Sequence, residues 1–214
     1  MPGGVYRKIG DLPSTIPIFP LSGAVVFPHG ALPLNIFEPR YLNMVDDAMC
    51  GQRIIGMIQP VGPGENEEHP HVVDIGCAAR ITSYSETDDG RYLITLTGIC
   101  RFRVAQELEV MTPYRQVLPD FKPYKSDLDS QGDSLLMEKP SLLEALSDYL
   151  VRTGLGAMSS GLQSAPVESL INTLAAACPF EPAEKQALLE APGLAERAGL
   201  LKALFETSGR TRLM

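Results

Sequence analysis

From Tyr92 to Val104 every even position is apolar or glycine: Tyr92, Ile94, Leu96, Gly98, Cys100, Phe102 and Val104. Thr95, Thr97, Arg101 and Arg103 fall between them. A period of two buries one set of side chains and wets the other, so a long strand is expected, with Arg101 and Arg103 on its wet side. Gly98 lies on the inner face, where a missing side chain lets a strand bend as a sheet curls toward closure. Asp88-Asp89-Gly90, just upstream, is a hairpin signal. Further strands are expected from Arg53 to Gln59, from His71 to Tyr84 and from Tyr114 to Leu118. Ile16 to Leu21 holds two prolines that cannot donate ladder hydrogen bonds, which suits an edge or irregular strand. Val25 to Phe27 and Leu32 to Ile36 follow as two more short runs. Roughly six to eight short strands with turns between them describe a small closed or partly closed barrel.

Tyr41, Leu42, Val45, Ala48 and Met49 share one helical face behind Glu38-Pro39-Arg40, and that helix is expected to stop at Gly51. Asp120 to Lys139 is polar and carries Pro123 and Gly132, so residues 121–139 are expected to link two lobes. Beyond it the period becomes 3.6. Leu142, Leu143, Leu146, Tyr149 and Leu150 form one stripe, and Val167, Leu170, Ile171, Leu174 and Ala175 another. Two shorter helices follow, one opened by Pro182 and one marked by Leu194, Ala198, Leu201 and Phe205. A β-rich lobe over residues 14–120 and a helical bundle over 140–207 are the expected division.

Of the 214 residues, 44% are hydrophobic and 21% charged, which is ordinary for a folded chain. The net charge of −8 is shared evenly, with nine Lys+Arg against thirteen Asp+Glu both before and after residue 118. Without a basic cluster, neither nucleic acid nor an anionic membrane surface is an expected partner. The N-terminal stretch lacks the apolar core of a signal peptide or membrane span, which implies a cytoplasmic location. Cys50, Cys77, Cys100 and Cys178 are widely spaced and are expected to be reduced and mostly buried.

A search for chemistry returns little. No phosphate loop, dinucleotide fingerprint or nucleophile elbow occurs, so no cofactor is implied. His69-Pro70-His71 lies near Glu65, Glu67 and Glu68 and offers metal-ligand types, though a solvated loop explains them more plainly. Ser159 or Ser160 with Lys185 is the residual hydrolase reading, against a plain helix connection.

The segment Ile16 to Arg40, IPIFPLSGAVVFPHGALPLNIFEPR, followed by a helix from Tyr41, strongly resembles the opening of the Lon protease N-terminal domain. Ile75-Gly76-Cys77-Ala78-Ala79-Arg80-Ile81 adds to the likeness, which extends over about residues 14 to 206. The resemblance implies an α+β fold: a six-stranded pseudo-barrel of the PUA-like superfamily with a short helix, then a helical bundle. It implies a non-catalytic module that binds unfolded or partly folded protein segments or a protein partner, with self-association left open. Lon's ATPase and protease domains have no counterpart in these residues, so a stand-alone bacterial protein is expected. An RNA-binding PUA-like module is the alternative, which the acidic charge opposes. Phe27, Phe37, Arg40, Tyr41 and Met57 are the candidate peptide-binding residues, joined by Met44 in an apolar groove. Phe27 and Phe37 suit core positions as well, and Arg40 an ion pair with nearby Glu38 or Asp46.

Overall fold

A computed structural model describes residues 6–62, 70–129, 139–154 and 164–207. Six strands form one mixed sheet: β1 (Ile16–Pro20), β2 (Ala31–Ile36), β3 (Ile54–Ile58), β4 (Ile75–Glu86), β5 (Tyr92–Leu108) and β6 (Gln116–Asp120). Their order is β2-β5-β4-β3-β1-β6, and β6 pairs a second time with β5. The length of β5 makes this closure possible: Tyr92 to Thr97 pair with β2, whereas Arg103 to Leu108 pair with β6. Five strands therefore close into a ring, and β2 extends the sheet beside the projecting half of the β4–β5 hairpin. Ile16, Ile54, Ala78, Phe102 and Val117, one from each ring strand, meet in a buried cluster that fills the ring.

The expected bend at Gly98 is a register shift. Gly98 pairs with Ala79 and Cys100 with Ala78, so Ile99 is an extra residue on β5. A Cβ on Gly98 would lie 2.0 Å from the Phe27 carbonyl oxygen, so only glycine fits there. The bulge exchanges the faces of the strand. Before it, Ile94 and Leu96 point to the cluster shared with the helices; after it, Cys100 and Phe102 point into the ring. The odd positions exchange too, and this corrects the expectation for Arg101, which is only 2% exposed. Arg103, further along, is exposed.

Strand β1 also departs from expectation. It is paired on both sides, parallel to β3 and antiparallel to β6. The two prolines are tolerated because each ladder is short: pairing with β3 begins at Ile18, and pairing with β6 involves only Ile16 and Pro17. Val25 to Phe27 is not a strand, although all three residues are buried. The segment enters the core as an irregular tongue, held where the His29 N–H donates to Gly98 O (3.0 Å) and the Gly98 N–H donates to Gly30 O (2.9 Å).

Helix α1 (Pro39–Cys50) follows the expected pattern and buries Tyr41, Met44, Val45 and Ala48. The polar stretch after β6 contains a 3-10 turn, Lys122–Leu128, which packs on β5 and buries Asp127. Then come α2 (Lys139–Thr153), α3 (Val167–Ala177), α4 (Pro182–Glu190) and α5 (Leu194–Thr207). Tyr149, Phe180 and Phe205 stack their rings at centroid distances of 5.0 to 6.0 Å at the centre of this bundle. The bundle and the sheet share one continuous apolar core, in which Phe19, Phe27, Tyr41 and Met57 meet Leu146, Leu170, Leu188 and Phe205. Among the described residues, no helix is long and apolar enough to cross a membrane.

Candidate functional site

The five candidate residues do not assemble into one surface. Phe27 (1% exposed), Tyr41 (6%) and Met57 (2%) belong to the shared core, as does Met44, and reach no partner while the lobes are docked. They are buried because the Val25–Phe27 tongue, α1 and β3 are the elements on which the bundle sits. Phe37 is the reverse case, 62% exposed with the Arg91 guanidinium 5.9 Å from its ring centroid, which corrects a core role for it. It directly follows Ile36, the last residue of β2, so the alternation of that strand turns it outward. Arg40 makes the expected pair with Glu38 at 2.9 Å, and its guanidinium also lies 4.6 Å from the Tyr41 ring centroid.

Two arginines join the lobes. Arg101 on β5 donates Nε and Nη2 to the two Asp127 carboxylate oxygens at 2.8 and 2.7 Å. Its Nη1 donates to the carbonyls of Leu189 and Ala191, and Nη2 also to Pro192 O, so it covers the C-terminal end of α4. Arg197 on α5 donates to Leu188 O and to Asn172 Oδ1, with its guanidinium 4.8 Å from the Phe27 ring centroid. Asn172 completes the chain by donating to Pro28 O at 2.9 Å. Burial, with the nearby Arg101 charge, pulls Arg197 down to about 10.

A cleft of about 440 Å³ opens between the lobes beside this lock. Pro60, Val61 and Val73 form its barrel wall, and Pro182, Ala183 and Ala187 its α4 wall. The floor is polar and internally satisfied. Gln59 Nε2 donates to Pro182 O and Gln186 Oε1, Gln59 Oε1 accepts from the Gly23 N–H, and Gln186 Nε2 donates to Ile75 O and Glu190 Oε1. Ala183, Ala187 and Glu190 fall at i, i+4 and i+7, and each is exposed. Sequence reasoning missed this cleft because Gln59 and Gln186 meet only when the bundle docks. The apolar spacing of α4 was legible; what its outer face looks onto was not.

The groups weighed for chemistry are occupied or lie elsewhere. Lys185 donates Nζ to Gly23 O and Ala176 O, and burial lowers its pKa. Burial pushes the Cys77 thiol well up, Cys100 up to about 12 and Cys178 up to about 11, so none is a ready thiolate nucleophile. Cys50, by contrast, is exposed. Glu65, Glu67, Glu68, His69, Ser159 and Ser160 lie outside the described residues. Among the described residues, no group of three or more His, Cys, Asp or Glu side chains could hold a metal ion.

Residues 15–204 match the family model of the ATP-dependent protease La (LON) substrate-binding domain. The chain is 27% identical to Lon protease 2 of Myxococcus xanthus, over 99% of its own length and 25% of that protein. It is 31% identical to the Lon protease of Parabacteroides distasonis, over 90% of its length and 23% of that protein. It thus spans about a quarter of these relatives. The fold is similar to the N-terminal domain of a Mycobacterium avium complex Lon protease, with a TM-score of 0.66 and 15% identity over 91% of this chain and 99% of that one. A Lon N-terminal domain protein from Xanthomonas campestris is also similar, with a TM-score of 0.61 and 21% identity over 88% and 97%. With a match that runs from β1 into α5 and so includes both the ring and the bundle, the chain belongs to the LON substrate-binding domain family.

Proposed function

We propose that the chain is a non-catalytic module that binds extended or partly unfolded protein segments, presented by protein substrates or by a partner protein. The observation that carries this reading is the cleft between ring and bundle, with apolar walls and a satisfied polar floor, in a chain of the substrate-binding family. Apolar walls accept varied side chains, and a floor with no orphaned polar group makes no demand that one ligand alone would meet. Catalysis has little support: the three buried thiols are held in the protonated form, and Lys185 spends its ammonium on two carbonyls. Those unpaired thiols fit the cytoplasm, where cysteines stay reduced.

The test is binding of the purified chain to a fluorescently labelled protein kept unfolded by reduction and carboxymethylation, with the same protein in its native form as control. Saturable binding to the unfolded form, with no cleavage product on prolonged incubation, is the expected result. Equal binding to both forms, or to neither, would overturn the reading.

A further inference from the structure

Among the described residues that line the interlobe cleft, Glu190 is the one ionisable side chain. One of its carboxylate oxygens accepts from Gln186 Nε2 at 2.7 Å, and the side chain is exposed. A carboxylate offers about four acceptor sites, so one such bond leaves room for a cation. The cation nearest in sequence, Lys185, is turned away to Gly23 O and Ala176 O. Arg101 is spent on Asp127 and on carbonyls at the C-terminal end of α4, where it is 2% exposed and open to no ligand. Among the described residues, the open cleft therefore combines small apolar walls, Val61, Val73, Ala183 and Ala187, with the negative charge of Glu190 at one end. The whole chain, at −8, adds a field of the same sign.

We propose, resting on the protein-binding reading above, that this cleft takes an extended protein segment in which a branched apolar side chain is flanked by lysine or arginine. The apolar side chain fills the space between Val61 and Ala187. The neighbouring cation meets Glu190, and acidic segments are excluded because their carboxylates would face Glu190 in a partly desolvated cleft. The occupant carries the opposite sign to the wall that receives it, and its charge steers the encounter as well as the pose.

The assay is fluorescence anisotropy of the full chain with a labelled extended peptide containing a valine flanked by lysines, beside its twin with glutamate at every lysine. At low salt the lysine peptide is expected to bind tighter, and Glu190→Lys to weaken it about 3- to 10-fold while strengthening the glutamate twin, as expected for one solvent-accessible charge reversal. Added salt reduces the preference. Ala187→Phe fills the cleft from an exposed helix position and is expected to abolish binding of both peptides with the circular dichroism spectrum unchanged. A preference unaltered by Glu190→Lys, or tighter binding of the glutamate twin by the unmodified chain, would overturn the proposal. The carboxymethylated unfolded protein separates two kinds of failure. If it binds and the lysine peptide does not compete, protein binding stands and the cleft assignment falls; if neither binds, both fall.

Discussion

Arg101→Met removes a guanidinium buried where sheet, 3-10 turn and bundle meet, and replaces it with an apolar side chain that still fills most of the space. What remains is the Asp127 carboxylate, 7% exposed, without its bidentate partner, and the carbonyls of Leu189, Ala191 and Pro192 without their donor. The Arg101 backbone N–H, at 3.0 Å, still donates to Asp127. Breaking a buried ion pair from one side costs about 3 to 5 kcal/mol, and unpaired carbonyls at a helix end act in the same direction. With a urea m-value of about 3 kcal/mol per molar for a chain of this size, the unfolding midpoint should fall by about 1 to 2 M. The assay is urea titration followed by far-UV circular dichroism, with hydrogen exchange reporting where protection is lost. Both α4 and the 3-10 turn should exchange faster than β3. Adding Asp127→Leu removes the stranded charge, so the double variant should recover at least half of the loss. A single-variant loss below about 1 kcal/mol, or a double variant less stable than Arg101→Met alone, would refute the account of Arg101 as the link between the lobes.

Other outcomes follow from the same geometry. Gly98→Ala should cost about 3 kcal/mol in the same titration, because its Cβ would meet the Phe27 carbonyl at 2.0 Å and one of two backbones must move. Phe27→Ala should cost about 3 to 5 kcal/mol, and Phe37→Ser no more than about 0.5 kcal/mol, a contrast the sequence pattern does not offer. Alkali should also unfold the protein. Cys100 and Cys178, ordinarily near 9.0, are raised to about 12 and about 11, so the folded chain keeps protons that the unfolded chain releases. Stability is then full below pH 9.0 and falls by about 1.4 kcal/mol per pH unit for each thiol as pH climbs toward the folded values, readable as Tm against pH. Replacing both cysteines with alanine should make that fall shallower, with the buried Cys77 thiol still contributing to it.

The legible parts of the fold were those decided by neighbours in the chain. The stripe from Tyr41 to Met49, the proline that opens α4 and the Gly90 turn, with its φ of 76°, each carry their own local cause. The strand pattern of β5 was legible too, but not which way each side chain finally points. Alternation in sequence continues unbroken through Ile99, and only the pairing with Ala78 and Ala79 reveals that the strand has changed faces. The sequence pattern therefore predicts a solvated Arg101. Asp127 was equally hidden, since an acid within a polar stretch gives no sign of the cation that will bury it. The cleft was the least legible feature, because its walls come from the segment after β3, the segment before β4, and α4, brought together by docking alone.

Ile99 has one more consequence, for the tolerance of the chain to insertion and deletion. Removing this single residue would set Cys100 directly after Gly98, still opposite Ala78, and so restore an uninterrupted pleat without turning any later side chain. Phe102 would stay in the ring and Arg101 on the side of Asp127. An inserted residue that joined the pleat would instead turn every later side chain over, taking Phe102 out of the ring and Arg101 away from Asp127. Shortening is thus tolerable at this position and lengthening is not, whereas a length change before His71 shifts no paired residue of β5.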